Sequence, residues 1–440
     1  MRRLVETYQT TLLKCLALFL IINLVPLDLS AQEEENIRYE NYVYLDNIRS
    51  VKLHVDGDPI SLPMLPLNGG ARFELSFDDL GPDVKTYTYT FVHCDKNWQP
   101  SPLTTMEYVD GFLNELLDDY EFSNKTLTEY THYSLVFPND DVTWTISGNY
   151  LLIIHEDDVD GKRLAITRRF MVVDYNSLVD IELKPVSPAM AGRLKTYHEF
   201  DFVVNHEKTP IRNPEREISA VVLQNQRWDN AIMDIPPTYT RGNSIVFDYQ
   251  GRIAFPAGKE FRFFDLRTLR TRSLGIHEIL RFGDHYEVVL DKDAKRGALA
   301  YLFREDLNGG FVIDNFDGYI PEVSADYADV FFALSSPTEY DDADIFIVGA
   351  FNDWRLKDKM VYNDAINSYV AKIPFKQGFH NYAYAFQPKG SRETDRAGLN
   401  LSELEGDWYE TENEYTFLIY YHPIGSNYDQ LVASLVYVSH

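Results

Sequence analysis

The chain has 440 residues, a formal net charge of -27 at pH 7, 14% aromatic residues and only 2 cysteines. A surface this acidic repels nucleic acid and anionic lipid headgroups, so neither is an expected partner. Two cysteines cannot form a disulfide framework, so apolar cores must stabilise the chain. Tyrosine and phenylalanine dominate the aromatic residues, a composition that favours β-sheets.

The first 31 residues have the pattern of a cleavable export signal. Arg2 and Arg3 precede an apolar run at 15–27, and Ala31 is a small residue just before a polar leader at 32–37. The apolar run is shorter than the roughly 20 residues that a membrane-spanning helix needs. We therefore predict that residues 1–31 are removed, and we expect no membrane-spanning segment in the mature chain.

Alternating apolar and polar residues predict β-strands along the rest of the chain. The first group of strands, at 38–175, contains Asp160-Gly161 between two apolar runs, a pattern typical of a tight hairpin. Further groups follow at 176–325 and 326–440. Long amphipathic helical patterns do not alternate with these strands. The expected fold is all-β, with two to three immunoglobulin-like β-sandwiches in tandem.

The C-terminal region 326–440 contains six strand patterns, of which the last two lie at 415–421 and 430–438. Within this region, residues 346–354 (FIVGAFNDW) resemble the glycogen-binding type of immunoglobulin-like module, in which a strand ends at a Gly-x-Phe-Asn-x-Trp turn. The resemblance implies that Trp354 either packs inside the module or stacks on a sugar ring. A carbohydrate-binding or polysaccharide-handling protein is therefore the alternative function.

A group of basic residues at 252–281 stands out against the acidic chain. These side chains either pair with neighbouring acids on strand surfaces or form a patch that binds a partner. The arginines considered for partner binding are Arg262, Arg267 and Arg270.

His93 and Cys94 are the residues most suggestive of catalysis, because an imidazole can activate a neighbouring thiol. Adjacent side chains on a strand point to opposite faces, so His93 cannot readily activate Cys94. The acidic loops 156–161 and 339–344 lack the register of a calcium loop, the histidines are scattered, and no phosphate-binding or nucleophile-elbow motif occurs. We predict a protein that is not an enzyme and that holds no metal or cofactor.

Several segments closely resemble the core of one domain family. They are 89–101 (YTFVHCDKNWQPS), 107–112 (EYVDGF), 119–123 (DYEFS), 147–151 (SGNYL) and 260–267 (EFRFFDLR). The family is that of the type IX secretion system plug proteins, and the resemblance spans nearly all of the chain after the export signal. It implies a periplasmic, β-rich, non-enzymatic protein that binds the large outer-membrane β-barrel translocon and closes its periplasmic opening.

The aromatic residues of the block 95–112 are the expected contact surface for that translocon. They are Trp98, Tyr108 and Phe112. An equally simple interpretation is that these rings cover one end of the first sandwich. The sequence alone supports both interpretations.

Overall fold

The computed structural model describes residues 37–112, 114–158, 161–175, 180–184, 195–206, 211–318, 320–393 and 398–439. The predicted export signal, most of the polar leader and two residues of the predicted hairpin turn lie outside the described residues. Strands make up 49% and helices 5% of the described residues, which confirms the all-β prediction. Among the described helices, none has the length and hydropathy to cross a membrane. The chain from Tyr39 onward forms one structural unit.

The N-terminal module is built from the first twelve strands and one helical turn. They are β1 (Tyr42–Val43), β2 (Ile48–Val55), β3 (Met64–Pro66), β4 (Phe73–Asp79), β5 (Thr86–Cys94), α1 (Thr105–Tyr108), β6 (Val109–Gly111), β7 (Glu115–Leu117), β8 (Tyr120–Phe122), β9 (Thr131–Phe137), β10 (Val142–Trp144), β11 (Gly148–Asp158) and β12 (Gly161–Val173). One sheet has the order β1-β12-β11-β5-β7, with β3 beside β12, and the other has the order β2-β4-β9-β8. Strands β6 and β10 form a separate pair.

The two sheets of the N-terminal module share an aromatic core, because alternate residues of a strand point to the same face. The rings of Phe73, Phe137 and Phe170 lie with their centroids 5.0 to 5.4 Å apart. The predicted hairpin is confirmed: β11 and β12 pair antiparallel from Asp158 opposite Gly161 onward. The alternation seen in the sequence thus accounts for this module well.

The rest of the chain forms a middle module and an inserted module. The strands and helical turns up to β20 are β13 (Asp180–Lys184), β14 (Tyr197–Glu199), β15 (Asp201–Asn205), α2 (Pro214–Glu217), β16 (Ile218–Gln224), β17 (Arg227–Ile235), β18 (Tyr239–Arg241), β19 (Ser244–Phe247) and β20 (Ala254–Pro256). Those of the inserted module are β21 (Arg262–Asp265), β22 (Ile276–Arg281), β23 (Tyr286–Leu290), β24 (Phe311–Ile313), α3 (Pro321–Ser324), β25 (Tyr327–Ser335), β26 (Ala343–Val348), a 3-10 turn (Ala350–Asn352), β27 (Asp358–Lys359), β28 (Val361–Asn363), β29 (Ser368–Lys376), β30 (Gly378–Pro388) and α4 (Ser402–Glu405). The chain ends with β31 (Glu414–Tyr421) and β32 (Gln430–Val438).

The last two strands do not pair with any strand of the inserted module, which comes directly before them in the chain. Instead β31 pairs with β16, from Ile218 opposite Tyr421 to Gln224 opposite Tyr415, and β32 pairs with β31. Both strands were expected in a sandwich at 326–440, and their place in the middle sheet β17-β16-β31-β32 corrects that expectation. The local pattern of a strand shows that one face is buried, but it does not show which strand pairs with it. The sequence therefore predicted pairing with the strands closest in sequence.

The inserted module lies in the chain between β20 and β31, and its strands pair with one another. One of its sheets has the order β22-β23-β25-β29-β28, and another has β30 beside β21, β24 and β26, with β27 beyond β26. Its buried core, which includes Phe264, Phe332 and Tyr384, is separate from the core of the middle module, which includes Phe202 and Phe417. The inserted module is therefore a complete module whose sequence lies within that of the middle module.

Candidate functional site

Trp98 lies on the loop after β5 and is 1% exposed. The carboxylate of Asp95 shapes this loop by accepting hydrogen bonds from the backbone N–H groups of Asn97 and Gln99, both at 2.8 Å. The indole of Trp98 meets Trp228 of the middle module edge to face, with centroids 4.9 Å apart. Trp98 therefore joins two modules and does not face solvent.

The guanidinium of Arg169, from β12, lies 4.5 Å from the ring centre of Trp98 and 5.3 Å from that of Trp228. Cation–π contacts of this kind are strongest where water is excluded. The Nε of Arg169 also donates a hydrogen bond to the carbonyl of Tyr39 at 2.8 Å. Burial lowers the pKa of Arg169 to about 10, which leaves the guanidinium charged at neutral pH.

Lys96 adds polar contacts beside Trp98. Its backbone N–H donates to Asp429 at 3.0 Å, and its Nζ lies 2.6 Å from a carboxylate oxygen of Asp234 and 3.1 Å from the hydroxyl of Ser219. All three partners belong to the middle module. The loop that carries the family-like sequence is thus a docking element between modules.

Trp354 occupies a matching position on the inserted module. The guanidinium of Arg227, at the start of β17, lies 4.1 Å from its ring centre, and Phe261 meets it edge to face at 5.5 Å. A Cβ at Gly309 would lie 2.4 Å from the ring of Trp354, so any larger residue at this position would clash with the indole. A sugar would have to compete with these contacts, and the geometry matches the packing interpretation of Trp354.

The turn that carries Trp354 also contacts the N-terminal module. Arg168 lies 3.3 Å from the carboxylate of Asp353, and Arg355 donates to the carbonyl of Asn41 at 2.7 Å. All three modules therefore meet at a set of side chains that we call the arginine junction. Its members are Trp98, Arg168, Arg169, Arg227, Trp354 and Arg355.

A second contact between modules is fully buried. The carboxylate of Asp78, on β4, lies 2.6 Å from Nζ of Lys376, on β29, and 2.6 Å from Nδ1 of His132. The hydroxyl of Tyr327 donates to the same carboxylate at 2.6 Å. Burial alone would raise the pKa of Asp78, but Lys376 and His132 hold it below its ordinary value. We call Asp78 and Lys376 the buried pair.

The three arginines proposed for partner binding already have partners within the chain. Arg262 is buried, with Nε 3.0 Å from Glu405 and Nη1 2.6 Å from Asp293. Arg267 pairs with Asp265 at 2.7 Å. Arg270 is largely exposed, yet its Nε lies 3.1 Å from Asp317. The geometry thus matches pairing with local acids, and it leaves only Arg270 well exposed.

His93 and Cys94 are both buried, and each is held in its uncharged form. Burial lowers the pKa of His93 to about 4 and raises the pKa of the Cys94 thiol to about 12. A thiol with such a pKa is a poor nucleophile at neutral pH. Within the described residues, no group of three or more histidine, cysteine, aspartate or glutamate side chains is arranged to hold a metal ion.

Tyr108 and Phe112 occupy different environments. Tyr108 is buried and its hydroxyl donates to the carbonyl of Phe91 at 3.1 Å. Phe112 is 68% exposed, and its backbone N–H donates to the carbonyl of Asp141 at 3.1 Å. Of the three aromatic residues proposed as a contact surface, only Phe112 faces solvent.

Exposed apolar side chains continue along the chain after Phe112. Leu116 is 59% exposed, Tyr120 43% and Phe122 63%. We call residues 115–122 the apolar edge, because they follow one side of the N-terminal sandwich. Sequence reasoning ended the contact block at Phe112 and missed this segment. The available signal was a run of acids and large apolar residues without a single lysine or arginine.

Comparisons with known proteins bear on the whole chain. A solved structure of a hypothetical protein from Parabacteroides merdae is similar over 92% of this chain and 100% of that one, with 31% sequence identity and a TM-score of 0.85. The C-terminal domain of the Streptococcus pyogenes antigen I/II-family protein AspA covers 88% of this chain and 98% of its own at 6% identity, but its TM-score of 0.18 supports no common fold. Comparison with curated proteins gives no match.

The family model described as type 9 secretion system plug protein 1st domain matches residues 48–174. This range corresponds closely to the N-terminal module, which carries the apolar edge and part of the arginine junction. The match assigns the chain a role related to type IX secretion in the cell envelope. The chain belongs to the type IX secretion system plug protein family.

Proposed function

We propose that this protein binds the large outer-membrane β-barrel translocon of type IX secretion and closes its periplasmic opening. Membership of the plug protein family is the observation that carries the proposal. In this proposal the mature chain resides in the periplasm, associated with the translocon, and works by binding alone. The negative net charge of the chain supports the proposal, because it keeps the protein off anionic lipid and available to a protein partner.

The contacts between modules also support a role as a stopper. The arginine junction and the buried pair tie the N-terminal module to the other two through charged and aromatic contacts. A body that blocks an opening has to keep its shape when the surrounding channel changes conformation. It also has to bind one channel conformation more tightly than another, so that it leaves when the channel is engaged.

The test is outer-membrane leakage in cells that lack this protein. We expect such cells to become sensitive to an antibiotic that the outer membrane normally excludes. Re-expression of the wild-type chain should restore resistance, and deletion of the translocon together with this protein should also restore it. Unchanged permeability in cells that still contain the translocon would contradict the proposal.

A further inference from the structure

The apolar edge is a lateral boundary of the N-terminal sandwich. Strand β7 pairs with β5 of one sheet, and after Asp118-Asp119 strand β8 pairs with β9 of the other. The backbone N–H of Ser134 donates to the carbonyl of Asp119 at 3.0 Å and fixes this crossing. Both β7 and β8 are the last strands of their sheets, so within the described chain no strand lies on their outer sides.

Large apolar side chains occupy this boundary in defined positions. The rings of Tyr120 and Phe122 meet edge to face with centroids 5.9 Å apart, because residues two apart on a strand share a face. The ring of Tyr120 also rests on Tyr133 of β9, at 5.8 Å. An open strand edge with exposed apolar side chains pairs readily with another chain, so proteins without a partner for it usually cover it.

The charge on this edge distinguishes between occupants. Residues 115–122 contain four acids, Glu115, Asp118, Asp119 and Glu121, and no lysine or arginine. In the part of the chain that the structure describes, none of the four forms an ion pair. A second copy of the chain would bring the same negative charges against them, and like charges on facing strands repel. The edge therefore fits an occupant that is both apolar and basic.

We infer that the apolar edge is the docking surface for the translocon, and that it accepts an extended segment whose apolar side chains are flanked by lysine or arginine. This inference rests on the proposed function and adds the surface and the chemistry of the partner. The segment adds a strand to the edge: backbone hydrogen bonds hold it, Leu116 and Phe122 contact its apolar side chains, and the carboxylates select its positive ones.

The experiment measures the affinity of the full mature chain for translocon purified in detergent and immobilised on a sensor surface. The apolar variant is L116S/F122S, and the charge variant is D119K/E121K. The matched controls lie at the edge strand β28 of the inserted module: V361S, on the strand at a residue that is 67% exposed, and D364K, at the exposed acid directly after it. We expect both edge variants to bind about tenfold more weakly or worse, as interface hot spots do, and both controls to bind like wild type.

The outcomes separate this inference from the proposed function. If wild type and edge variants bind the translocon equally, the docking surface is elsewhere and the proposed function stands. If wild type does not bind, the proposed function fails and the inference fails with it. If light scattering shows a wild-type dimer that F122S abolishes, the occupant is a second copy and the inference is wrong. Unfolding midpoints equal to that of wild type establish that each variant is folded.

Discussion

The N-terminal module contributes to the arginine junction and carries the apolar edge; both display large aromatic rings, but their surroundings differ. At the junction, Trp98 is covered by Arg169 of its own module and by Trp228 of the middle module, and Trp354 is covered by Arg227 of the middle module. At the edge, Tyr120 and Phe122 have acids beside them, and no module in the described part of the chain covers them. Aromatic residues mark an interface within the chain at the junction and, in our inference, an interface with a partner at the edge. The neighbouring charges show whether the partner lies inside the same chain.

The strongest test of the internal contacts is the buried pair. K376M leaves the carboxylate of Asp78 buried without its lysine, and we expect the free energy of unfolding to fall by about 3 to 5 kcal/mol. K372M on the same strand is the control, because Lys372 is half-exposed and its pair with Asp329 contributes about 0 to 1 kcal/mol. Urea unfolding followed by circular dichroism measures both. Equal losses would mean that the buried pair does not hold the modules together.

The comparison of the two regions predicts that stability and binding respond to different residues. W98A removes a buried indole from the junction, so unfolding should become easier by about 3 kcal/mol. F112A removes an exposed ring and should change the free energy of unfolding by less than about 0.5 kcal/mol. Thermal unfolding of the two variants checks this. A large loss of stability in F112A but not in W98A would contradict the assignment of Trp98 to the packing between modules and of Phe112 to the exposed surface.

A smaller effect is expected at Asp306, which lies on the segment between β23 and β24 of the inserted module. Its carboxylate accepts hydrogen bonds from the backbone N–H groups of Phe261 and Asn308, and burial raises its pKa to about 6. A raised carboxyl pKa means that the folded state binds the proton more tightly, so this group's contribution to stability falls as pH rises through about 4 to 6. Each pH unit in that window is worth about 1.4 kcal/mol when the group is fully buried.

D306N removes the titration at this position. Relative to wild type, the variant should be more stable at pH 7.5 than at pH 5 by about 1 kcal/mol, less than the full value because Asp306 is partly exposed. Guanidinium unfolding at the two pH values measures the difference, and any pH-independent loss of a hydrogen bond cancels. The same stability difference at both pH values would contradict the assignment.

The smallest effect is expected at Arg270. Its guanidinium is largely exposed and pairs with Asp317 on the surface, so R270A should change the free energy of unfolding by about 0.5 kcal/mol or less. Translocon affinity should also stay at the wild-type value, because the positive group lies on a separate module from the acidic edge. A marked loss of translocon affinity in R270A would contradict this prediction and indicate that the basic residues contact the translocon.

Local patterns in the sequence predicted much of the fold. The alternation of apolar and polar residues identified β5 and the hairpin of β11 and β12, because a strand with one buried face has an apolar residue at every second position. It could not assign β31 to β16, because that pairing joins residues as far apart as Ile218 and Tyr421. Which strands meet at such a distance depends on the packing of the intervening module, which no local pattern records.

The candidate site was predicted in part for a related reason. Trp98 and Phe112 have the same signal in the sequence, a large ring in a segment between strands, yet one is buried and the other exposed. The difference arises from Trp228 and Arg169, which approach Trp98 from distant parts of the chain. The apolar edge was missed, although its acids and apolar residues are neighbours in sequence and their pattern could have identified it.

The pairing of β16 with β31 has a consequence for biogenesis. Two of the four strands of that middle sheet are the last strands of the chain, so a growing polypeptide cannot complete it until synthesis reaches residue 438. Pairings between such distant segments also form slowly. The middle sheet thus stays incomplete until β31 and β32 have been synthesised, whereas the N-terminal sheets need no strand after β12.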